Sequence, residues 1–372
     1  MWDIFFNAAS NLDAFLWGPW TMCFIAFVSI FLTFKSRFFQ LSNFRYIFSE
    51  TFLKVFQRSD IREKNTISPF QATSTSLAGT VGMGNMAGVA TALSIGGPGA
   101  IFWMWVLALF GMITKAAEIT LAIHYREVDD NGDIFGGPML YIKKALGWRF
   151  LAILFSLGIT INCIFTSSLL QAHTVGRALD ASYNINPYLT TSLMAFVTMV
   201  VTIGGVRRIG KFCEALVPLM TLLYLGFGLI IFFANIESLP EVFMQILSYA
   251  FSPAPAVGGF AGASIMMAIQ MGMARGMLSN EAGLGTAPMV HANAETKHPF
   301  QQGLWGAAEV FFDTTLVCTI TAVVILSSGV LAGGNSGIEL LLDGFSSYYS
   351  TATASIIISV AITTFCLSLI HI

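Results

Sequence analysis

Stretches of roughly 20 apolar residues, the length that carries a helix across a bilayer, recur along the whole chain with short polar punctuation between them. They predict nine spans, near Leu16 to Phe34, Phe70 to Leu93, Pro98 to His124, Leu151 to Val175, Pro187 to Val206, Phe212 to Ala234, Val257 to His291, Gly303 to Leu331 and Thr351 to Ile370. The first has no basic run before it and no small-residue cleavage site after it, so it reads as an uncleaved span. The polar punctuation is asymmetric. Fifteen of the eighteen Lys and Arg fall in alternate loops: seven from Lys35 to Lys64, then Arg126, Lys143, Lys144 and Arg149, then Arg207, Arg208 and Lys211, then Lys297. The opposite loops hold Arg177 alone, with Glu237, Glu241, Glu339 and Asp343. Because Lys and Arg of short loops stay on the cytoplasmic side, the N-terminus is expected outside.

Two spans are interrupted. The second contains Thr80-Val81-Gly82-Met83-Gly84-Asn85-Met86-Ala87-Gly88, and the seventh contains Arg275-Gly276-Met277-Leu278-Ser279-Asn280-Glu281-Ala282-Gly283-Leu284-Gly285. Glycine costs about 1 kcal/mol against alanine inside a helix, so each stretch is a predicted point of unwinding. Unwound backbone at membrane depth frees N–H and C=O groups that something must satisfy. A polar ligand does so: N-terminal half-helix ends present N–H groups to a carboxylate, and C-terminal ends present carbonyls to a cation or ammonium. Two such breaks meeting in mid-bilayer make a site for a zwitterion and a metal cation. The competing reading is that these glycines only permit tight helix packing.

Both breaks contain Asn-x-Ala-Gly, at Asn85 to Gly88 and at Asn280 to Gly283, in spans of opposite direction. That pattern predicts an inverted repeat. With five spans per unit, residues 1–64 form an extra N-terminal helix and a basic loop, 65–235 the first repeat, and 236–372 a partial second repeat of three helices. The two asparagines lie 195 residues apart, which places the expected end of a full second repeat near about residue 430. On this reading the chain lacks about two helices of the complete pattern.

Composition narrows the classes further. The chain of 372 residues is 55% hydrophobic and 10% charged, against about 25% charged in a soluble domain, with a mean hydropathy of +0.74. The net charge of −2 offers no basic face for nucleic acid. The five cysteines, Cys23, Cys163, Cys213, Cys318 and Cys366, sit singly in apolar stretches and read as packing residues rather than metal ligands or disulfides.

Three blocks resemble the alanine/glycine:cation symporter family of bacteria and archaea. The first runs from Ser68-Pro69-Phe70-Gln71-Ala72 through Thr80 to Ala92 and on to Gly96-Gly97-Pro98-Gly99-Ala100 and Phe102-Trp103-Met104-Trp105. Gly136-Gly137-Pro138-Met139 with Tyr141-Ile142 is the second. The third runs from Gly258-Gly259-Phe260-Ala261-Gly262 through Ala274-Arg275-Gly276 and Ser279 to Gly285, Ala287-Pro288 and Thr296-Lys297-His298-Pro299. The resemblance covers nearly the whole chain. It implies an all-α polytopic membrane protein of the prokaryotic plasma membrane, with a LeuT-type five-plus-five inverted repeat behind one extra N-terminal helix. It also implies Na⁺-coupled uptake of a small neutral amino acid such as alanine or glycine, with Na⁺ as a transported ion and no cofactor.

Carried over position by position, the resemblance has Thr80, Gly82 and Asn85 line the substrate, with Gln171 near the pocket. Three positions depart from the family pattern: Met83 replaces a frequent threonine, His173 a frequent asparagine, and Ser368-Leu369-Ile370-His371-Ile372 stands where a threonine and a Gly-Trp are expected.

From the residues themselves, the second break adds Arg275, Gly276, Ser279 and Asn280 to the candidate substrate site, beside Gly84 of the first. Asn85 is the first candidate because its amide gives oxygen to Na⁺ or a donor to a carboxylate. Candidate Na⁺ ligands are Asn85, Ser279 and the last-span hydroxyls Thr364 and Ser368, although membrane hydroxyls often bond back to their own helix. Arg275 either grips a substrate carboxylate or neutralises Glu281 or an inward gate. Glu309 and Asp313, four residues apart, either take a cation or pair with Arg275. Lys115 and Glu118 are expected to pair locally, and Glu214 to be interfacial. Phe102, Trp103 and Trp105 read as packing or lipid-facing residues. An intramembrane enzyme would need a metal trio, a Ser-His pair or a carboxylate dyad, and neither His291 nor His298 has an evident partner in the sequence. A channel or a scaffold is the remaining class, and substrate-dependent sodium flux separates a carrier from both.

Overall fold

Helix starts in this chain are written by proline and a capping side chain. Ser68 and Gln71 exchange hydrogen bonds in a capping box at the head of α4 (Pro69–Thr80), satisfying N–H groups that a first turn leaves orphaned. Asn186 caps α10 (Pro187–Thr202) through the Tyr188 N–H, and His298 caps α15 (Pro299–Val310) through the Phe300 N–H. The computed structural model describes residues 7, 10, 12, 15, 18–54, 66–82, 84–203, 205–350 and 353–354.

In chain order the remaining helices are α1 (Pro19–Lys35), α2 (Phe39–Ser42) and α3 (Phe44–Glu50) before α4. After it come a π turn at Gly84–Gly88, α5 (Val89–Gly96) and α6 (Gly99–His124). A two-stranded hairpin, β1 (Glu127–Val128) and β2 (Ile134–Phe135), leads to α7 (Pro138–Ala145). The next span is α8 (Arg149–Ile161), a π turn at Asn162–Ser167 and α9 (Ser168–Tyr183), followed by α10 and α11 (Gly205–Ala234). Then follow α12 (Leu239–Phe251), α13 (Ile265–Asn280), α14 (Thr286–His291), α15, a π turn at Phe311–Val317, α16 (Cys318–Ser328) and α17 (Gly337–Ser346).

Among the described residues, three helices are long and apolar enough to cross a membrane, Gly99–His124, Arg208–Ala234 and Pro299–Ser328. They coincide with the third, sixth and eighth expected spans. The second and seventh are split where glycines were expected to split them. The seventh also starts later than the sequence suggests. Residues 252–264 form irregular bridges, Ala254 with Ala263 and Val257 with Phe260, and the helix begins only at Ile265. The ninth span lies outside the described residues except for positions 353 and 354.

Helix α6 is the mast of the molecule. It packs chiefly against α15 and α13, and also against α12, α14 and α1. The α6–α15 seam is close because Gly303 faces it: a Cβ there would lie 2.5 Å from Thr120 Oγ1 and 2.7 Å from the Ala116 carbonyl oxygen. Small residues let backbones approach in this way. Two helices fall in stretches read from the sequence as loops. α12 buries Leu239, Val242, Ile246 and Ala250 along one face, and α17 buries Leu340, Leu341 and Phe345. Both are amphipathic and too short to span.

Candidate functional site

The two breaks touch. α4 ends at Thr80 and Val81 turns extended (φ −74, ψ 91) before the π turn begins at Gly84. α13 ends at Asn280, where Glu281 takes the left-handed conformation (φ 54), followed by Gly283 (φ 95) and Gly285 (φ 83) before α14 restarts the helix. A left-handed residue at a helix end is usually glycine. Here the Glu281 carboxylate accepts a hydrogen bond from Thr286 Oγ1, tying the two half-helices across the gap. Gly84 lies directly on the second break, and a Cβ there would fall 2.9 Å from Ser279 Cα and 3.3 Å from the Leu278 carbonyl oxygen. No side chain fits between them.

Asp313, in the π turn after α15, sits at that contact and is fully buried. Asn85 Nδ2 donates to Asp313 Oδ1 and to its backbone carbonyl, both at 2.9 Å. Ser279 Oγ donates to Asp313 Oδ2 at 2.6 Å, and Thr314 Oγ1 donates to the same oxygen at 2.9 Å. The Asn85 side-chain oxygen accepts from the Gly82 N–H at 3.2 Å, which holds the unwound strand. Cys318 Sγ lies 3.4 Å from both Asn85 Nδ2 and Ser279 Oγ. One carboxylate therefore gathers a side chain from each break. Every donor to it is neutral, and among the described residues no cationic side chain lies within ion-pair distance.

One helical turn earlier, Glu309 has a different set of partners. Lys115 Nζ of α6 lies 2.8 Å from Glu309 Oε1, and both side chains are fully buried. The same ammonium donates to the Asn280 carbonyl oxygen at 2.8 Å. Ser76 Oγ donates to Glu309 Oε1 at 2.7 Å, and His291 Nε2 lies 3.2 Å from Oε2. Gln302 Nε2 faces both His291 Nδ1, at 2.7 Å, and the Pro69 carbonyl, so it is the donor; His291 Nδ1 accepts and its Nε2–H points at Glu309. Two expectations are corrected here. Lys115 pairs with Glu309 and not with Glu118, because its stem runs inward across the bundle, while Glu118 accepts from the Gly283 N–H at 3.2 Å. His291 has partners, and Glu309 is taken by them in place of Arg275.

The remaining candidates divide by position. Arg275 lines a cavity of about 380 Å³ beside the breaks, with Gly88, His173, Arg177, Leu278 and Glu339. Gly276 faces α6, where a Cβ would lie 3.1 Å from Leu107 Cδ2. Thr80 Oγ1 bonds back to the Leu77 carbonyl at 3.4 Å. Asn280 Oδ1 accepts from the Ala282 N–H at 2.9 Å, and its buried Nδ2 has no hydrogen-bond partner among the described residues. Gln171 lies in α9, with its side chain outside what the structure describes, as are Met83, Thr364 and Ser368. Glu214 is more than interfacial, since it accepts from Gln71 Nε2 at 2.8 Å and joins α11 to α4. Trp103 and Trp105 pack, donating to the Ala250 carbonyl and to Thr319 Oγ1. Sequence reasoning left Asp313 open between two roles and missed Thr314 and Ser76. The available signal was an acid followed by a hydroxyl in an apolar run, at membrane depth where a charge is costly.

Comparison with known proteins places these features in a family context. The sequence profile of the sodium:alanine symporter family matches residues 2–372. The uncharacterized transporter YflA of Bacillus subtilis is 40% identical over 326 residues, 88% of this chain and 69% of that protein. The sodium/alanine symporter AgcS of Methanococcus maripaludis is 40% identical over 332 residues, 88% of this chain and 72% of that protein. The amino-acid carrier protein AlsT of Bacillus subtilis is 37% identical over 339 residues, 91% and 70% respectively. Among solved structures, the manganese transporter of Eremococcus coleocola superimposes with a TM-score of 0.54 at 14% identity, over 84% of this chain and 70% of that one. That likeness concerns the fold.

Proposed function

The chain belongs to the sodium:alanine symporter family, a family of membrane transporters, and from that premise we propose that it carries a small neutral amino acid, alanine or glycine, into the cell together with Na⁺. The observation that carries this reading is Asp313, a buried carboxylate held by Asn85 of one break and Ser279 of the other. The Asp313 carboxylate, the Asn85 amide and the Ser279 and Thr314 hydroxyls form the oxygen set for the cation, with Thr364 and Ser368 of the last span as further ligands. Hard oxygen donors of this kind replace the hydration shell of an alkali cation.

The substrate is assigned to the cavity side of the same contact, among Thr80, Gly82, Gly84, Asn85, Gln171, Arg275, Ser279 and Asn280. Exposed N–H groups of the first break receive its carboxylate, and carbonyls at the end of α13 receive its ammonium. The architecture we assign is the inverted repeat, residues 65–235 against 236–372, behind an extra helix in 1–64 with its N-terminus outside. Transport then follows from the bundle of broken helices rocking against the rest. The zwitterion adds no net charge, so the membrane potential acts on the cation, at about 2.3 kcal/mol per 100 mV.

Uptake of labelled alanine and glycine into proteoliposomes, with and without an inward Na⁺ gradient, tests the reading on this chain and on Asn85→Ala. Uptake driven by Na⁺ and lost in the variant is expected. Uptake driven by a proton gradient alone, or indifferent to Asn85, would overturn it.

A further inference from the structure

Besides His291, the fully buried acidic and basic side chains among the described residues are Lys115, Glu309 and Asp313, and of these three the symport reading uses Asp313 alone. The other two form an ion pair that belongs to no step of it. Burying an ammonium and a carboxylate costs several kcal/mol per ion, and well-packed apolar residues are often as stable in their place. Inside a membrane such charges usually have work to do.

The oxygens around the Lys115 ammonium show what that work is. Glu309 Oε1 and the Asn280 carbonyl each lie 2.8 Å from Nζ, and Ser76 Oγ lies 2.7 Å from the same carboxylate oxygen. These groups come from α15, from the end of α13 and from α4. The α13 carbonyl is the C-terminal end of a half-helix, the end whose partial negative charge favours a cation. The carboxylate and the helix-end carbonyl meet the ammonium directly, and the Ser76 hydroxyl stands behind the carboxylate; a carboxylate, a helix-end carbonyl and a hydroxyl are also the classes of donor that surround Asp313 or end the half-helices beside it. We propose that these oxygens are a second monovalent-cation seat and that Lys115 fills it permanently with its own ammonium, leaving the protein with one exchangeable Na⁺. The rest follows from charge. Of two buried carboxylates one turn apart, Glu309 is neutralised by a cation tethered to α6, and Asp313 has only neutral donors. The tethered cation also bonds the end of α13, so it holds the second break in register with α15 whether or not Na⁺ is present.

This rests on the Na⁺ reading of Asp313 for the parent's count, but not for the seat itself. The test is equilibrium binding of radioactive Na⁺ to the purified full chain, with choline as the replacing ion. The parent is expected to bind about one Na⁺ per chain, and Lys115→Ala about two, because the vacated oxygens take a second ion. Lys115→Arg should stay at the parent's count. Lys115→Ser is a second small variant in case alanine folds poorly, and either of them should gain thermal stability from NaCl over choline chloride by more than the parent does. A residue that were merely structural would move stability in both salts alike. A parent that binds two Na⁺, or small variants that gain neither an ion nor a Na⁺-specific stabilisation, would overturn the inference. A parent that binds none while Lys115→Ala binds one would overturn the symport reading of Asp313 and leave the tethered-cation seat standing.

Discussion

Glu309 and Asp313 are two carboxylates four residues apart on one membrane helix, both fully buried and each accepting from a serine hydroxyl, and their surroundings differ in charge. Glu309 meets an ammonium, a histidine and a serine, from α6, α14 and α4. Asp313 meets an asparagine, a serine and a threonine, from the first break, the end of α13 and its own turn. The first arrangement is closed, since its charge is balanced within the protein. The second is a carboxyl among neutral donors with no fixed counter-charge among the described residues, and in low-dielectric surroundings a charge left unbalanced is expensive. On the proposed symport reading the two divide the work: the fixed pair holds the broken helices in register and the unbalanced site draws in the cation.

The sharpest way to break this comparison is to neutralise each acid in turn. Asp313→Asn keeps the shape and most of the hydrogen bonds but removes the charge. Losing a charged partner is worth about 1.5–3 kcal/mol, so Na⁺ affinity should fall roughly 10- to 100-fold while the fold persists. Glu309→Gln should do the opposite. It strands the Lys115 ammonium, and breaking a buried pair by removing one partner costs about 3–5 kcal/mol of stability. Thermal unfolding in detergent at several NaCl concentrations separates the two effects. Equal losses of Na⁺ response in both variants would remove the distinction.

How far was this division legible beforehand? The breaks themselves were, because glycine clusters around Asn85 and Asn280 contradict helix propensity within otherwise apolar runs. Their contact was expected in kind, and the structure supplies its form, Gly84 against the backbone of Ser279. The choice of partners was not legible. Glu118, three residues from Lys115, is the nearer acid in sequence, but Lys115 crosses to α15. Helical spacing alone puts Glu309 and Asp313 on one face, while the π turn at Phe311–Val317 changes the register just before Asp313. α12 and α17 lie in stretches whose sequence reads as loop, because a short amphipathic helix lacks the long apolar run by which a span shows itself.

A smaller effect probes the contact between the breaks. Gly84→Ala places a Cβ 2.9 Å from Ser279 Cα, a backbone atom that cannot rotate away. Overpacking of this kind costs about 1–3 kcal/mol, and it should push Ser279 away from Asp313, lowering Na⁺ response along with melting temperature. Gly158→Ala in α8 is the control, since nothing lies within 4 Å of the added atom and the change should be neutral or stabilising by up to about 1 kcal/mol. If both variants behaved alike, the close approach of the breaks would have no functional weight.

The smallest effect is expected where the same chemical pair stands in water. Lys144 Nζ lies 3.0 Å from Glu127 Oε1 at the β1–β2 hairpin, outside the spans and with both side chains partly exposed. The Lys144 hydrogen bond, then its charge, hold the Glu127 carboxyl below the usual glutamate value, with Lys143 adding to the pull. A depressed carboxyl contributes whatever stability it has above the ordinary glutamate pKa and loses it as pH falls through the depressed value. Lys144→Gln should therefore raise the Glu127 titration midpoint toward the ordinary value, read from its side-chain carboxyl carbon by NMR, while Na⁺-driven uptake and melting near neutral pH stay as in the parent. Solvent and salt already screen this pair, whereas the side chains of Lys115 and Glu309 are both fully buried. A loss of uptake in Lys144→Gln comparable to that in Glu309→Gln would mean that burial is not what sets the inner pair apart.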